Sequence, residues 1–174
     1  MQTAQRGWTL VEALISLSIT AIALGAAVPG FEAARERRHL DGAAAQFETD
    51  LQLARGLAVL HNRTVRVSFG TDSAGSCYVV HSGGPGDCTC NAGGAATCSP
   101  GAEALRSMGY PSDLPITLTS NAASMAFEHV RGTVTPTSTV RITGRGRAVH
   151  VVTNIMGRVR SCSPTSAVPG YPAC

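Results

Sequence analysis

The sequence predicts an α+β protein, with one long N-terminal helix, apolar in its first half, packed on a β-rich C-terminal head. Three observations predict it. An uncharged apolar run lies next to the N-terminus, an i+3/i+4 apolar pattern follows it, and beyond residue 62 short alternating stretches are separated by glycine-rich turns. The chain of 174 residues is 44% hydrophobic and 14% charged, too apolar for a disordered polymer. Nineteen glycines and nine prolines against one Trp, three Tyr and four Phe point to many turns around an aliphatic core.

The N-terminal element comes first. Met1–Gly7 is a short polar leader with one charge, Arg6. Residues 13–31 then run without a charge, spanning about 28 Å as a helix against a hydrocarbon layer of about 30 Å. A secretory signal peptide has a shorter apolar stretch and a small-residue cleavage site. Glu12 at the head of the run is the informative residue, because a carboxylate in an apolar segment costs on the order of 2.5–3.5 kcal/mol near mid-membrane. The stretch Gly7-Trp8-Thr9-Leu10-Val11-Glu12 resembles the prepilin processing motif of type IV pilins and type II secretion pseudopilins. The resemblance implies a prepilin peptidase that cuts after Gly7 and methylates the new N-terminus, Trp8. It also implies that Glu12 meets the terminal amine of a neighbouring subunit during assembly, and that the chain resides in the inner membrane beforehand, crossing it once with a periplasmic head.

From residue 31 the helical pattern turns amphipathic. Leu40, Ala44, Phe47, Leu51, Ala54 and Ala58 recur on one face, while Glu32, Arg35, Glu36, Arg37, Arg38, Glu48 and Asp50 mostly take others. Pro29-Gly30 is expected to kink the helix or loosen one turn. The expected organisation is a leader at 1–7, a transmembrane or filament-core helix at 8–30 and its amphipathic half at 31–62. A β-rich head follows at 63–174.

In the head, Val65, Val67 and Phe69 alternate with Arg66 and Ser68, the period of a half-buried strand. Further strands are expected at 77–82, 115–119, 124–128, 139–143, 148–153 and 158–162. Residues 82–102 are rich in Gly, Ala and Cys without periodicity and are expected to form one long loop.

Six cysteines (Cys77, Cys88, Cys90, Cys98, Cys162 and Cys174) allow 15 disulfide connectivities. The Cys-x-Cys spacing lacks the usual metal-ligand geometry, and an exported head favours disulfides, so no metal is expected. Cys88 and Cys90 are too close in sequence to bridge each other. Cys162 with Cys174 is a plausible local pair that would tie down the C-terminal tail, leaving the other four for the loop. The five histidines are scattered and no catalytic motif emerges, so neither an enzyme nor a cofactor is expected.

Charge supplies the remaining signal. All fourteen basic residues are arginine, and residues 129–174 hold six of them with no acid. Arg158 and Arg160 are two apart in a strand pattern, hence on one face about 6.6 Å from each other. Arg145 and Arg147 flank a glycine in a turn, Arg141 precedes it, and a hairpin through 154–157 is expected to bring the pairs close. Guanidinium groups so arranged suit phosphate oxygens.

Taken together, Leu51-x-x-Ala54-Arg55-x-x-Ala58, Asn62, the strand at Val65 and Gly157-Arg158-Val159-Arg160 resemble the GspH/FimT family of minor pilins. In the FimT branch the Gly-Arg-x-Arg arginines bind DNA for natural transformation. The resemblance therefore implies a minor pilin that binds extracellular double-stranded DNA without sequence preference and has other major and minor pilins as partners. A GspH-like pseudopilin that binds only other pilins is the alternative, and a face for acidic lipid or polysaccharide is a third reading.

Overall fold

A computed structural model describes residues 8–164 and 168–174, the side chains of residues 27–29 and 33 excepted. The elements follow the order α1 (Leu10–Leu60), β1 (Val65–Asp72), β2 (Gly75–Ser82), β3 (Cys88–Cys90), β4 (Ala96–Cys98), β5 (Ala104–Pro111) and β6 (Thr117–Ser120). They continue with β7 (Ser124–Phe127), β8 (Val134–Thr135), β9 (Ser138–Gly144), β10 (Arg147–Thr153) and β11 (Val159–Cys162). The chain divides into two compact units, the first ending at Glu36 and the second running from Arg37 to Cys174.

The first unit is helical. Thr9 caps α1, its Oγ1 accepting the Glu12 N–H at 3.3 Å, in the Thr-x-x-Glu spacing of a capping box. Within the apolar run, the hydroxyls of Ser16, Ser18 and Thr20 each donate to the carbonyl four residues back at 2.8 Å. No side-chain donor of this group is left without a partner in an apolar surrounding. Leu10, Leu14, Leu17, Ile19, Ile22 and Leu24 are all exposed, so the segment is apolar on every side. This part of the helix is long and apolar enough to cross a membrane. The helix continues through Pro29-Gly30, where a kink or a loosened turn was expected. A proline removes one backbone bond there, and long hydrogen-bonded stretches on either side keep the element continuous.

The second unit begins with the amphipathic part of α1. Leu40, Ala43, Ala44, Phe47, Leu51, Ala54 and Ala58 are buried, the face that the i+3/i+4 pattern marks. The helix ends by a backbone motif. Asn62 adopts φ 48°, and the N–H groups of Arg63 and Asn62 bond the carbonyls of Ala58 and Val59. This left-handed closure satisfies two terminal carbonyls and turns the chain into β1.

The head contains a five-stranded sheet of order β5-β2-β1-β7-β8 and a four-stranded sheet of order β11-β10-β9-β6. All strand pairs in both are antiparallel. Their inner faces supply Val65, Val67, Tyr78, Val80, Met125 and Phe127, then Val140, Ile142, Val149 and Val151, to one core with the helix. Each such side chain contributes about 1.5–3 kcal/mol by burial. Within this core Asp50 is only 2% exposed. It accepts from the Tyr78 hydroxyl at 2.6 Å and from Gln46 Nε2 at 3.0 Å, with Arg106 Nε at 3.5 Å. Burial, then the bond to Asp50, pushes the Tyr78 hydroxyl far above its ordinary range; burial, then Asp50, pushes Tyr110 up to about 12.

Residues 82–102 are not a structureless loop. They fold into the hairpin β3–β4, whose register sets Cys88 opposite Cys98. Bonds Cys88–Cys98 and Cys77–Cys90 lock the hairpin and tie it to β2, and Cys162–Cys174 fastens the tail to β11. All six cysteines are thus paired. The hairpin also lies against β5 at Gly109, where a Cβ would stand 2.2 Å from the Ala92 carbonyl oxygen. Only glycine permits that approach.

Candidate nucleic-acid interface

The candidate site is the outer face of the four-stranded sheet. Along β10 and β9 buried and exposed residues alternate: Val149, Val151, Val140 and Ile142 point to the core, and Arg141, Thr143, His150 and Val152 point away. On β11, Ser161 faces inward and donates to the Glu48 carboxylate of α1. Arg160 therefore faces outward, level with Val152, and Cys162 stands level with His150. Across the sheet, Thr119, Arg141, His150 and Cys162 form one row, and Thr139, Val152 and Arg160 form the next. No carboxylate side chain stands in either row.

The turn before β11 is built to hold Arg158. Asn154 Oδ1 accepts the Arg158 N–H at 2.9 Å, and the Asn154 N–H donates to the Arg158 carbonyl at 3.1 Å. Gly157 is buried at φ 71°, and a Cβ on it would stand 2.4 Å from the Gly132 carbonyl oxygen. The Arg55 side chain of α1 lies against both glycines, with Nη1 donating to the Gly157 carbonyl at 3.5 Å. Val134 N–H bonds the Ile155 carbonyl at 2.9 Å, so β8 supports the same turn. Nearby, the Val130 and Arg131 N–H groups donate to the Glu128 carboxylate and hold its pKa below the ordinary value.

Register separates the arginines that the sequence expectation had grouped. Arg158 and Arg160 lie at the end of β10 marked by Asn154 and Val152, whereas Arg145 and Arg147 lie at its start. Five residues of strand, about 17 Å, part Arg147 from the level of Arg160. The turns 144–147 and 154–157 close opposite ends of one strand, so the hairpin that carries Arg158 cannot bring the pairs together. Arg141 is the arginine that shares the outer face with Arg160, two strands and two residues away, about 12 Å. Arg141, Arg158, Arg160 and Arg145 are exposed and Arg147 is half-buried. The sequence pattern reads His150 as a partly exposed strand residue, and it stands half-buried in the alternation of β10, but that reading gives it no part in this face. Burial, then the Arg141 charge, lowers its pKa below 6.5.

At the other end of the chain, Trp8 and Glu12 are exposed, and Gly7 lies outside the described residues. Among the described residues no cluster of His, Cys, Asp and Glu could hold a metal ion.

An apolar N-terminal helix that continues into an antiparallel β-rich head defines the pilin and pseudopilin class of filament subunits. The chain belongs to the GspH family: residues 43–157 match the family model described as type II transport protein GspH. Residues 2–28 match the prokaryotic N-terminal methylation motif, which with the apolar helix marks a membrane-anchored pilin. Among solved structures, the type IV minor pilin FimU of Pseudomonas aeruginosa strain PAO1 is 20% identical, with TM-score 0.54 over 78% of this chain and 96% of that one. The minor pseudopilin EpsH of the Vibrio cholerae type 2 secretion system is 16% identical, with TM-score 0.50 over 71% and 96%. At these identities the likeness establishes the fold alone. No curated protein matches the chain significantly.

Proposed function

We propose that this protein is a minor type IV pilin whose head holds double-stranded DNA by its phosphates, for uptake in natural transformation. The observation that carries the reading is the carboxylate-free outer face, with Arg160 on β11, Arg158 just before it and Arg141 on β9, in a segment with six arginines and no acid. Arginine binds phosphate oxygens in a bidentate fork and carries no sequence information when it does so. Tyr171 is the lone aromatic after residue 128 and it packs against the core, so a stacking platform for single strands is not supplied. Arg145 and Arg147 act as a separate contact about 17 Å along the sheet, within reach of the same duplex. The head works as a binding and assembly module, not as an enzyme. In this reading a prepilin peptidase cuts after Gly7, Glu12 guides assembly with other pilins from the inner membrane, and the head faces the periplasm before joining an extracellular pilus.

A pseudopilin role, binding only other pilins, is favoured by the match to the type II transport protein GspH model. Duplex binding by the full-length chain in neutral detergent separates the two. Arg141, Arg158 and Arg160 contribute about −2.7 to the log–log salt slope, to which the separate Arg145 and Arg147 contact adds, and Arg158→Ala with Arg160→Ala lowers its magnitude by about 1.8. A wild-type chain that leaves duplex DNA unbound at low salt decides for the pseudopilin.

A further inference from the structure

His150 stands at the centre of the outer sheet face, with an arginine on each side. On β9, Arg141 is its direct cross-strand partner, and Thr139 and Thr143 lie diagonally. On β11, Cys162 is its direct partner, engaged in the bond to Cys174, and Arg160 lies diagonally. Ala148 and Val152 are its neighbours on β10. The side-chain charges that face the ring are therefore both positive. Direct cross-strand partners have Cβ atoms about 5 Å apart, and diagonal ones about 7–8 Å.

We propose that His150 is a further phosphate-contacting residue of this face, taking a proton as a nucleic-acid phosphate settles between Arg141 and Arg160. The inference rests on the phosphate-binding reading above and adds to it a residue and a pH dependence.

Without a ligand, the ring is half-buried beside a guanidinium group, an arrangement that keeps it neutral near pH 7. A phosphate set between the two arginines reverses both influences. It neutralises the repulsion from Arg141, and it supplies an anionic oxygen that only the protonated ring can meet with a donor on either nitrogen. The proton comes from solvent, and no bond is made or broken beyond it. Linkage then runs in both directions: phosphate raises the affinity of the ring for a proton, and acid raises the affinity of the face for phosphate. Each unit by which binding raises the His150 pKa gives a tenfold gain in affinity across the titration.

The test is the affinity of the full-length chain in neutral detergent for a random-sequence duplex, followed from about pH 8 to about pH 5.5 at fixed ionic strength. Wild type is expected to tighten about fivefold or more toward acid, with a salt slope steeper by about 0.9 there. His150→Gln is expected to keep the alkaline affinity and lose the acid gain, whereas His129→Gln, changed in the turn beside Arg131, keeps the gain. An acid gain that persists in His150→Gln overturns the proposal, as does a wild type that binds equally at every pH. A wild type that binds at no pH overturns the phosphate reading itself, and this inference with it.

Discussion

At Gly157 a methyl group would meet the Gly132 carbonyl oxygen at 2.4 Å, on a backbone already at φ 71°. Gly157→Ala is expected to cost about 2–3 kcal/mol, read as a lowered midpoint of unfolding, because strain and overlap add. The Gly-Arg-x-Arg stretch was legible as a motif, but the need for its glycine comes from an approach between residues 25 apart, which no local pattern reveals. Tyr78→Phe leaves the buried Asp50 carboxylate without its 2.6 Å donor, and a loss of about 1–3 kcal/mol is expected in denaturant titration. His81 was legible only as a scattered histidine. It is buried, with Nε2 at 2.8 Å from Ser68 Oγ and Nδ1 at 3.0 Å from the Ser82 carbonyl, and burial lowers its pKa below 6.5. The unfolded ring binds a proton that the folded one refuses. Its contribution is therefore complete above pH 6.5 and falls away as pH drops below that value toward the folded pKa. A pH series of thermal unfolding should show this loss, and an NMR titration should find the His81 ring taking its proton only below pH 6.5.

Elements were read best where burial is one-sided. β9 and β10 alternate between core and outer face, and their patterns place them to within a residue. β5 was missed because it is an edge strand whose exposed and half-buried residues carry no clean period. β3 and β4 were missed because three-residue strands stapled by sulfur need no apolar alternation. The arginine grouping failed at this scale too. Two turns that bound a single seven-residue strand lie at opposite ends of it, and that topology outweighs nearness in sequence. Replacing Cys162 and Cys174 together by Ser is expected to cost about 2–4 kcal/mol and to free the tail, seen as faster proteolysis after residue 162.

For the whole chain, the apolar first unit has no partner of its own among the described residues, and it belongs in a membrane or among other helices. The sequence showed this directly, since a charge-free run needs no tertiary information to be recognised. Glu12→Ala is expected to be processed but poorly assembled, read as cleaved chain retained in membranes and depleted from filaments. Mass spectrometry of assembled material is expected to show a chain beginning at methylated Trp8; an intact Met1 there would sink the processing assignment. Within the head, the hairpin that carries Arg158 and Arg160 is joined to α1 at two points, Ser161 to Glu48 and Gly157 to Arg55, one on each side of those arginines. Tension applied to a polymer gripped at this hairpin would therefore enter the long helix directly, without first crossing the rest of the sheet. Peeling β11 away would have to break the Ser161–Glu48 bond as well as the ladder to β10.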